Sequence, residues 1–395
     1  MACLDFAASE IEVLKYLLCS YDVRLNADVD LADVIICRDN SRNLSKPAIK
    51  ISRQPEPNRT IETTNNEDGI VDLPYDLIGE CLARYERAME PRISLRYRLI
   101  TRLPIQYNTL PSSIRSRFLK MQKIDADLSK HLRNEIARRT LINAFGHLGF
   151  SLRRRRPPEL LITHDIDSER GLRRAEAFHK IEEGLRITST WFLPSDDYPI
   201  SRTDAEELGE NSRIGSHDVK HDGRLIHIKT HDKLVERLMS SKRRLETIFG
   251  REVSCFRSPL MQFNRKILRA LGDAGYKCDF SIPCWEPVHP TTMGGFGIES
   301  AQSFEIDNVI EYPLTLFQDH QLLNVLGMST QKAAKFILEQ AALIRSFDGD
   351  IVLSVHPDYK FSEDLPRYRQ LLISLQEMQN SDIQRAAPPL ITGDF

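Results

Sequence analysis

The stretch Leu160-Leu161-Ile162-Thr163-His164-Asp165-Ile166-Asp167 constrains this chain more than any other. An apolar run passes directly into two carboxylates spaced i, i+2. Side chains of an extended strand alternate faces, so Asp165 and Asp167 are predicted to point one way, and His164 and Ile166 the other. Two carboxylates side by side at the end of a buried strand repel each other. Such a pair is tolerable only with a cation, a shared proton or a positive neighbour. On that ground Asp165 and Asp167 are candidates for a metal or acid–base site.

From Leu160 onward the chain has the rhythm of an α/β fold. Strand patterns at Leu160–Thr163, Ile187–Leu193, Arg213–Ser216, Val253–Phe256, Tyr276–Phe280, Val309–Tyr312 and Asp350–Ser354 are interleaved with helical patterns at Arg173–Glu183, Leu234–Phe249, Ile267–Ala274 and Thr330–Ser346. Repeated βα units predict a parallel sheet or barrel over 159–395. Upstream, Val13 to Leu18 reads as an amphipathic helix, Asp33–Cys37 and Ala48–Ser52 as strands, and Asp72-Leu73-Pro74 as the start of a helix through Tyr85. Residues 1–110 therefore make a small α/β domain, with loop chemistry at 54–68 and no phosphate loop, dinucleotide fingerprint or metal spacing. Residues 111–158 are expected to be a helical connector, closing on the basic run Arg153–Arg156 and Pro157-Pro158. That run reads as a solvated boundary, with a clamp for a phosphate-bearing ligand as the sharper alternative.

Bulk properties exclude several classes. The length of 395 residues suits two or three domains. The 54 basic and 56 acidic residues nearly cancel, leaving −2, so no global field points to nucleic acid or an anionic membrane. No apolar run approaches the roughly 20 residues of a membrane span. Asp5, Glu10 and Glu12 interrupt anything like a signal peptide at the Met1 end. The seven cysteines are odd in number and scattered, with no C-x-x-C pair, and Cys19, Cys37 and Cys81 in apolar context are expected to be free thiols. These features lead to an expected cytoplasmic location.

Parallel β/α folds gather functional groups at the carboxyl ends of their strands. The predicted strands deliver Asp165 and Asp167, His217, Arg257, Asp279 and His356 to that rim. His217 and His221 stand at i, i+4, so one helical turn would put both imidazoles on one face as metal ligands. With Asp167 they make a two-histidine, one-carboxylate set that leaves positions open for water and substrate. His227 and His231 repeat the spacing but sit among Arg224, Lys229 and Lys233, and read as solvated surface. The loop around Trp285 and its Pro and Gly neighbours offers either a sugar-stacking ring or a packed cover. Asp319 and His320, after Pro313, could also reach the rim, with substrate contact as the sharper of their readings.

These residues, in this order, resemble the NodB-type polysaccharide deacetylases, carbohydrate esterase family 4. The likeness covers 160–356. It rests on Thr163-His164-Asp165-Ile166-Asp167 as a D-x-D form of the family's acidic pair, the His217…His221 pair, Phe256-Arg257-Ser258-Pro259 as Arg-x-Pro, Leu353-Ser354-Val355-His356 as the final motif, and Thr190-Trp191-Phe192 as the second strand. The resemblance implies a distorted (β/α) barrel with fewer than eight regular strands. It implies Asp167, His217 and His221 around zinc or another divalent ion, Asp165 as general base, His356 as general acid, and Arg257 holding the base. A backbone N–H near Leu260 would face the oxyanion.

The chain departs from the family in three ways. The acidic pair is not adjacent; Leu260 stands where an aromatic residue is common; and the carboxylate that tunes the acid histidine has no clear match, Asp279 being the candidate. Pro259, Leu260, Trp285 and His320 are the expected substrate wall. The implied activity is removal of an N-acetyl group from an N-acetylated sugar or glycan precursor. Its alternatives are an allantoinase-like hydrolase of a non-sugar C–N amide, or a non-catalytic glycan-binding barrel. The resemblance says nothing of the N-terminal domain, for which a protein partner or self-association is the expectation.

Overall fold

The strand-then-helix rhythm of the sequence becomes two sheets in the computed structural model, which describes residues 1–24, 30–38, 46–54, 64–66, 69–95, 98, 126–289, 292 and 294–384. The chain divides into a first unit, Met1–Arg87 with Leu132–Pro157, and a second, Ala88–His131 with Pro158–Arg385.

The first unit is built on a 5-stranded sheet in the order β1-β2-β3-β5-β4. Its strands are β1 (Ala2–Leu4), β2 (Ile35–Arg38), β3 (Ala48–Ile51), β4 (Thr64–Asn66) and β5 (Ile70–Leu73). All neighbours pair in parallel except β4 with β5. Helix α1 (Ala8–Leu18) buries Val13, Leu14, Tyr16, Leu17 and Leu18 as its apolar stripe. Helix α2 (Leu77–Met89) follows β5. The sequence missed β1, β5 and β4, the last inside the 54–68 segment expected to be loop, because three or four residues carry too little alternation to stand apart from a loop.

Helix α3 (Arg133–His147) differs from the expected connector. It belongs to the first unit, where buried Arg138 pairs with Glu135 and donates from Nε to the Leu17 carbonyl (2.7 Å). Residues 112–125 of the expected helices lie outside the described residues. In the basic run, Arg154 bridges to Tyr21 and Arg155 donates to the Val23 carbonyl (3.4 Å), so two of its four arginines have partners within the unit.

The second unit carries an 8-stranded sheet in the order β13-β14-β10-β9-β8-β7-β6-β15. Its strands are β6 (Leu160–Asp165), β7 (Thr190–Leu193), β8 (Arg213–Ser216), β9 (Cys255–Phe256), β10 (Cys278–Asp279), β13 (Phe304–Ile306), β14 (Val309–Glu311) and β15 (Ile351–Ser354). All neighbours are parallel except β13 with β14. Between them run α4 (Glu169–Gly184), α5 (Arg202–Glu207), α6 (His231–Phe249), α7 (Arg265–Asp273) and α8 (Thr330–Ser346), with α9 (Leu365–Gln384) after β15. A separate two-stranded ribbon, β11 (Glu286–His289) with β12 (Gly294–Phe296), occupies the proline- and glycine-rich loop.

The sheet curls, and the segment after β14 bridges its two ends. Leu314 N donates to the Ile282 carbonyl (2.8 Å) on one side, and Leu316 N to the Val352 carbonyl (3.3 Å) on the other. Phe192, Cys255, Met261, Phe280, Leu314 and Val352 fill the concave interior as one buried cluster. Beside that cluster lie buried polar groups as well, Arg257 standing over the Phe192 ring (4.6 Å to its centroid).

The cysteines bring a correction. Cys37 and Cys81 are buried free thiols and Cys19 a half-buried one, but Cys255 and Cys278 stand directly opposite each other in β9 and β10 and are joined by a disulfide. Sequence spacing gave no sign of it, since strand register alone makes them neighbours. Among the described residues no helix is long and apolar enough to cross a membrane.

Candidate active site

Each functional group is delivered by the end of a strand or the loop just beyond it. β6 ends on Asp165, and two residues later Asp167 precedes Ser168, the N-cap of α4. β8 ends at Ser216, just before His217; β9 ends at Phe256, just before Arg257; β15 leads through Val355 into His356. Parallel pairing across β15-β6-β7-β8-β9 brings these ends together.

Two sets of side chains meet there. In the first, Asp167 Oδ1 lies 3.6 Å from His217 Nε2 and 3.5 Å from His221 Nε2. Both distances exceed hydrogen-bonding range, and Asp167 Oδ1 is buried without a hydrogen-bond partner. Ligand atoms around a tetrahedral zinc, each roughly 2.0–2.2 Å from the ion, stand about 3.4 Å from one another. An orphaned buried oxygen facing two imidazole nitrogens at that spacing fits a divalent cation. His217 also donates from Nδ1 to the Arg257 carbonyl (2.8 Å), which turns Nε2 towards Asp167; burial opposes charge on the ring, but Asp167 and Asp165 push its imidazole up. Burial opposes the charge on Asp167, but His221 and His217 hold its carboxyl below the usual carboxylate range. Burial pushes the His221 imidazole down, towards the neutral form a ligand needs.

The histidine pair does not come together through a helical turn, as its spacing predicted. Residues 217–221 are an irregular loop. Asp218 takes a left-handed backbone (φ 65°) and its carboxylate is gripped by both Nε (2.9 Å) and Nη2 (2.8 Å) of Arg237 on α6. Its carbonyl accepts from Ser195 N (3.0 Å) and Ser241 Oγ (2.8 Å), and the His221 backbone N–H is taken by Asp197 (3.1 Å). The loop is fastened at both ends, and the two rings stand 5.2 Å apart.

The second set joins a carboxylate to an arginine and an imidazole. Asp165 Oδ1 accepts from Arg257 Nη1 (2.7 Å), and its Oδ2 lies 3.6 Å from His356 Nε2. Arg257 is wholly buried beneath it, donating also to Ser354 Oγ (3.0 Å) and the Phe280 carbonyl (3.1 Å). Burial opposes ionisation of Asp165, yet Arg257, then His217 and His356, keep it ionised and its carboxyl below the ordinary range. On the far side of His356, Nδ1 meets Asp319 Oδ1 at 2.6 Å, and the His356 backbone N–H donates to Asp319 Oδ2 (3.1 Å). Burial works against the His356 charge, but Asp319 wins and pushes the imidazole up to about 10.

Asp279, the expected partner of His356, is therefore not the carboxylate bonded to it. Its carboxylate accepts from Ser281 Oγ (2.6 Å) and faces its strand partner Glu311, and burial pushes both carboxyls up. The carboxylate on His356 is Asp319, which was expected to reach the rim towards substrate. No local spacing links Asp319 to His356; the loop after β14 does.

The remaining residues divide. His320 is at the site, its ring 5.2 Å from that of His356 and 5.8 Å from that of Tyr359. Burial, then His356, lowers its imidazole to about 4. Leu260 and Met261 both have positive φ (57° and 52°) just after Pro259, a strained turn of the kind that orients backbone N–H groups at functional sites. Trp285 is packed away as a cover, stacked on His131 at 3.4 Å between ring centroids and abutting Gly295. His164 faces the other side of β6, bonded to Glu182 (2.6 Å) and the Val355 carbonyl (2.9 Å) and stacked on Trp191. His231 pairs with Asp273 (2.7 Å) on the outside of the unit. Sequence reasoning also missed Asp358, whose carboxylate accepts from the Asp167 backbone N–H (3.3 Å).

No family model matches the chain, and no curated protein does either. Solved structures that it is similar to include a Mycobacterium smegmatis protein provisionally described as a polysaccharide deacetylase (14% identity, 60% of this chain and 95% of that one, TM-score 0.44). A chitin deacetylase from Colletotrichum lindemuthianum is another (11%, 56% and 83%, 0.40). A family 4 carbohydrate esterase pseudoenzyme from Bacillus anthracis (13%, 56% and 63%, 0.37) stands among them too. At these TM-scores the likenesses carry no weight of their own, and the functional reading rests on the residues of the site.

Proposed function

We propose that this protein is a metal-dependent hydrolase that removes an N-acetyl group from an N-acetylated sugar or glycan precursor. The observation that carries the reading is the unpartnered Asp167 Oδ1, 3.5 and 3.6 Å from two imidazole nitrogens, next to a carboxylate that faces both an arginine and an acid histidine. Asp167, His217 and His221 would hold the cation, zinc in the first instance. Bound there, a divalent ion supplies Lewis-acid polarisation of an acyl oxygen and a lowered pKa for water.

The chain's own groups do the rest. Asp165, kept ionised by Arg257, accepts the proton of the attacking water. A backbone N–H near Leu260 would face the oxygen that becomes negative, those of Met261 and Gln262 being taken by the Ser258 and Pro259 carbonyls. His356, held protonated by Asp319, gives its proton to the leaving nitrogen as the C–N bond breaks. His320, uncharged at neutral pH, and Pro259 and Leu260 form the substrate wall in this reading. The first unit has no metal-ligating trio among its described residues and is assigned partner binding or self-association, to be checked by sedimentation of the full chain.

The reading is tested by assaying metal-stripped and zinc-reconstituted protein on a panel of N-acetylated sugars, nucleotide-linked sugars and cyclic amides. Zinc-dependent release of acetate from a sugar is expected. Turnover confined to the cyclic amides would replace the sugar by a small non-sugar amide, and metal-independent turnover would remove the mechanism. A cytoplasmic location belongs to the same reading. The Cys255–Cys278 disulfide stands against it: protection of those two cysteines from alkylation during lysis places the chain in an oxidising compartment, and alkylation of all seven keeps the cytoplasmic reading and means that the pair is reduced there.

A further inference from the structure

One carboxylate beside the site has no part in that chemistry. Asp358 lies two residues beyond His356, and its carboxylate turns back onto the metal-ligand turn. Its Oδ2 accepts the Asp167 backbone N–H (3.3 Å) and its Oδ1 the Ser168 hydroxyl. Ser168 in turn caps α4, its Oγ accepting the Gly171 backbone N–H (3.3 Å). The start of a 16-residue helix favours a negative group.

Gly171 shows how closely the carboxylate is seated. A Cβ at that position would stand 2.2 Å from Asp358 Oδ2 and 2.7 Å from its Cγ. Asp358 thus occupies the space that any other residue at 171 would fill. The same loop is tied to α4 a second time, by Arg174 Nη1 donating to Ser362 Oγ (2.6 Å). The turn that carries Asp167 and the loop that carries His356 are therefore held as one piece.

We propose that Asp358 is the positioning residue of the metal set: by binding the Asp167 peptide and the α4 N-cap against Gly171, it fixes the Asp167 carboxylate opposite His217 and His221. The inference rests on the metal reading above. It needs no titration of Asp358, only its two accepted hydrogen bonds and its fit against Gly171. Partners of this kind, once removed, typically cost about 10–100-fold in metal affinity.

The experiment is a Co2+ titration of the metal-stripped full-length protein followed by its visible absorption, with Zn2+ affinity from chelator competition. Asp358→Ala is expected to weaken both ions about 10–100-fold and to alter the Co2+ spectrum. Asp358→Asn keeps one acceptor oxygen and should fall between. Gly171→Ala removes no hydrogen-bonding group and leaves the first turn of α4 its helical backbone. It should nonetheless weaken metal binding, because its Cβ expels the carboxylate. The Gly171→Ala/Asp358→Ala double variant should then bind no worse than Asp358→Ala alone, a non-additivity expected of groups that share one space. Wild-type affinity and spectrum in Asp358→Ala, or strictly additive losses in the double variant, overturns the proposal while leaving the metal reading intact. If the unaltered protein binds neither ion, the metal reading fails, and this inference with it. Should Asp358→Ala not fold, Asp358→Asn and Gly171→Ala carry the same comparison.

Discussion

Both units end parallel strands on buried charge, and they treat that charge in opposite ways. In the first, Arg38 at the end of β2 is met by Asp76 (2.5 Å) and Glu10, and donates to the Ser52 carbonyl (3.2 Å). Those carboxylates are used again, Asp76 by the Gly79 backbone N–H (2.8 Å) and Glu10 by that of Ala7 (2.7 Å). Both carboxylates around Arg38 thus have further donors of their own, which is how buried ions are made stable. In the second unit, Asp167 keeps an oxygen with no donor while two imidazoles face it. Parallel-sheet topology gathers polar groups at strand ends in both cases; around Arg38 opposite charges meet in direct contact, whereas at Asp167 a carboxylate oxygen and two imidazoles face one another beyond hydrogen-bonding distance.

That contrast can be broken by experiment. The largest effect is expected from His217→Ala, which should abolish both metal binding and turnover. Asp165→Asn should lower turnover about 10²–10⁴-fold with the metal retained. If His217→Ala keeps its metal, or Asp165→Asn loses it, the division into ligand trio and acid–base pair is wrong. Asp319→Asn should act next. With Asp319 present, His356 is protonated below about 10 and loses its proton only as pH rises through that value. Without that charge the imidazole falls back towards its ordinary range near ~6.5. The alkaline limb of kcat/KM should move down by several pH units, and an unshifted profile would show that Asp319 does not hold the acid proton. The smallest effect on turnover should come from Arg38→Met. Two carboxylates lose their partner, so stability should drop by about 3–5 kcal/mol in chemical denaturation while kcat stays put. A fall in kcat at full occupancy of the folded state would mean that the first unit takes part in the chemistry.

Much of the second unit was legible in the sequence. β8 and α8 have the bounds predicted for them, Arg213–Ser216 and Thr330–Ser346, since a buried run bounded by turns and a long amphipathic stripe are strong local signals. Helix α9, with Leu371, Leu372 and Leu375 among Gln370, Gln376 and Gln379, was missed because its pattern is weak, as were β11, β12 and β13 with three or four residues each. The rim residues were legible as strand ends, and the opposite facing of His164 came from alternation alone. The packing of Trp285 on His131 was not legible, because it joins positions far apart in the chain. The approach of His217 to His221 was foreseen for the wrong reason: the loop is folded by Arg237 on Asp218, not by helical geometry.

The sequence by itself determined which residues reach the rim, because strand periodicity and strand ends are written locally. Tertiary structure decided how they pair: Asp319 rather than Asp279 on His356, Asp358 behind Asp167, and Cys255 across from Cys278. Those pairings depend on strand register and on the paths of the loops after β14 and β15, which are set by packing between segments distant in the chain. Periodicity tells a side chain which face to take; only the closed sheet tells it what stands opposite.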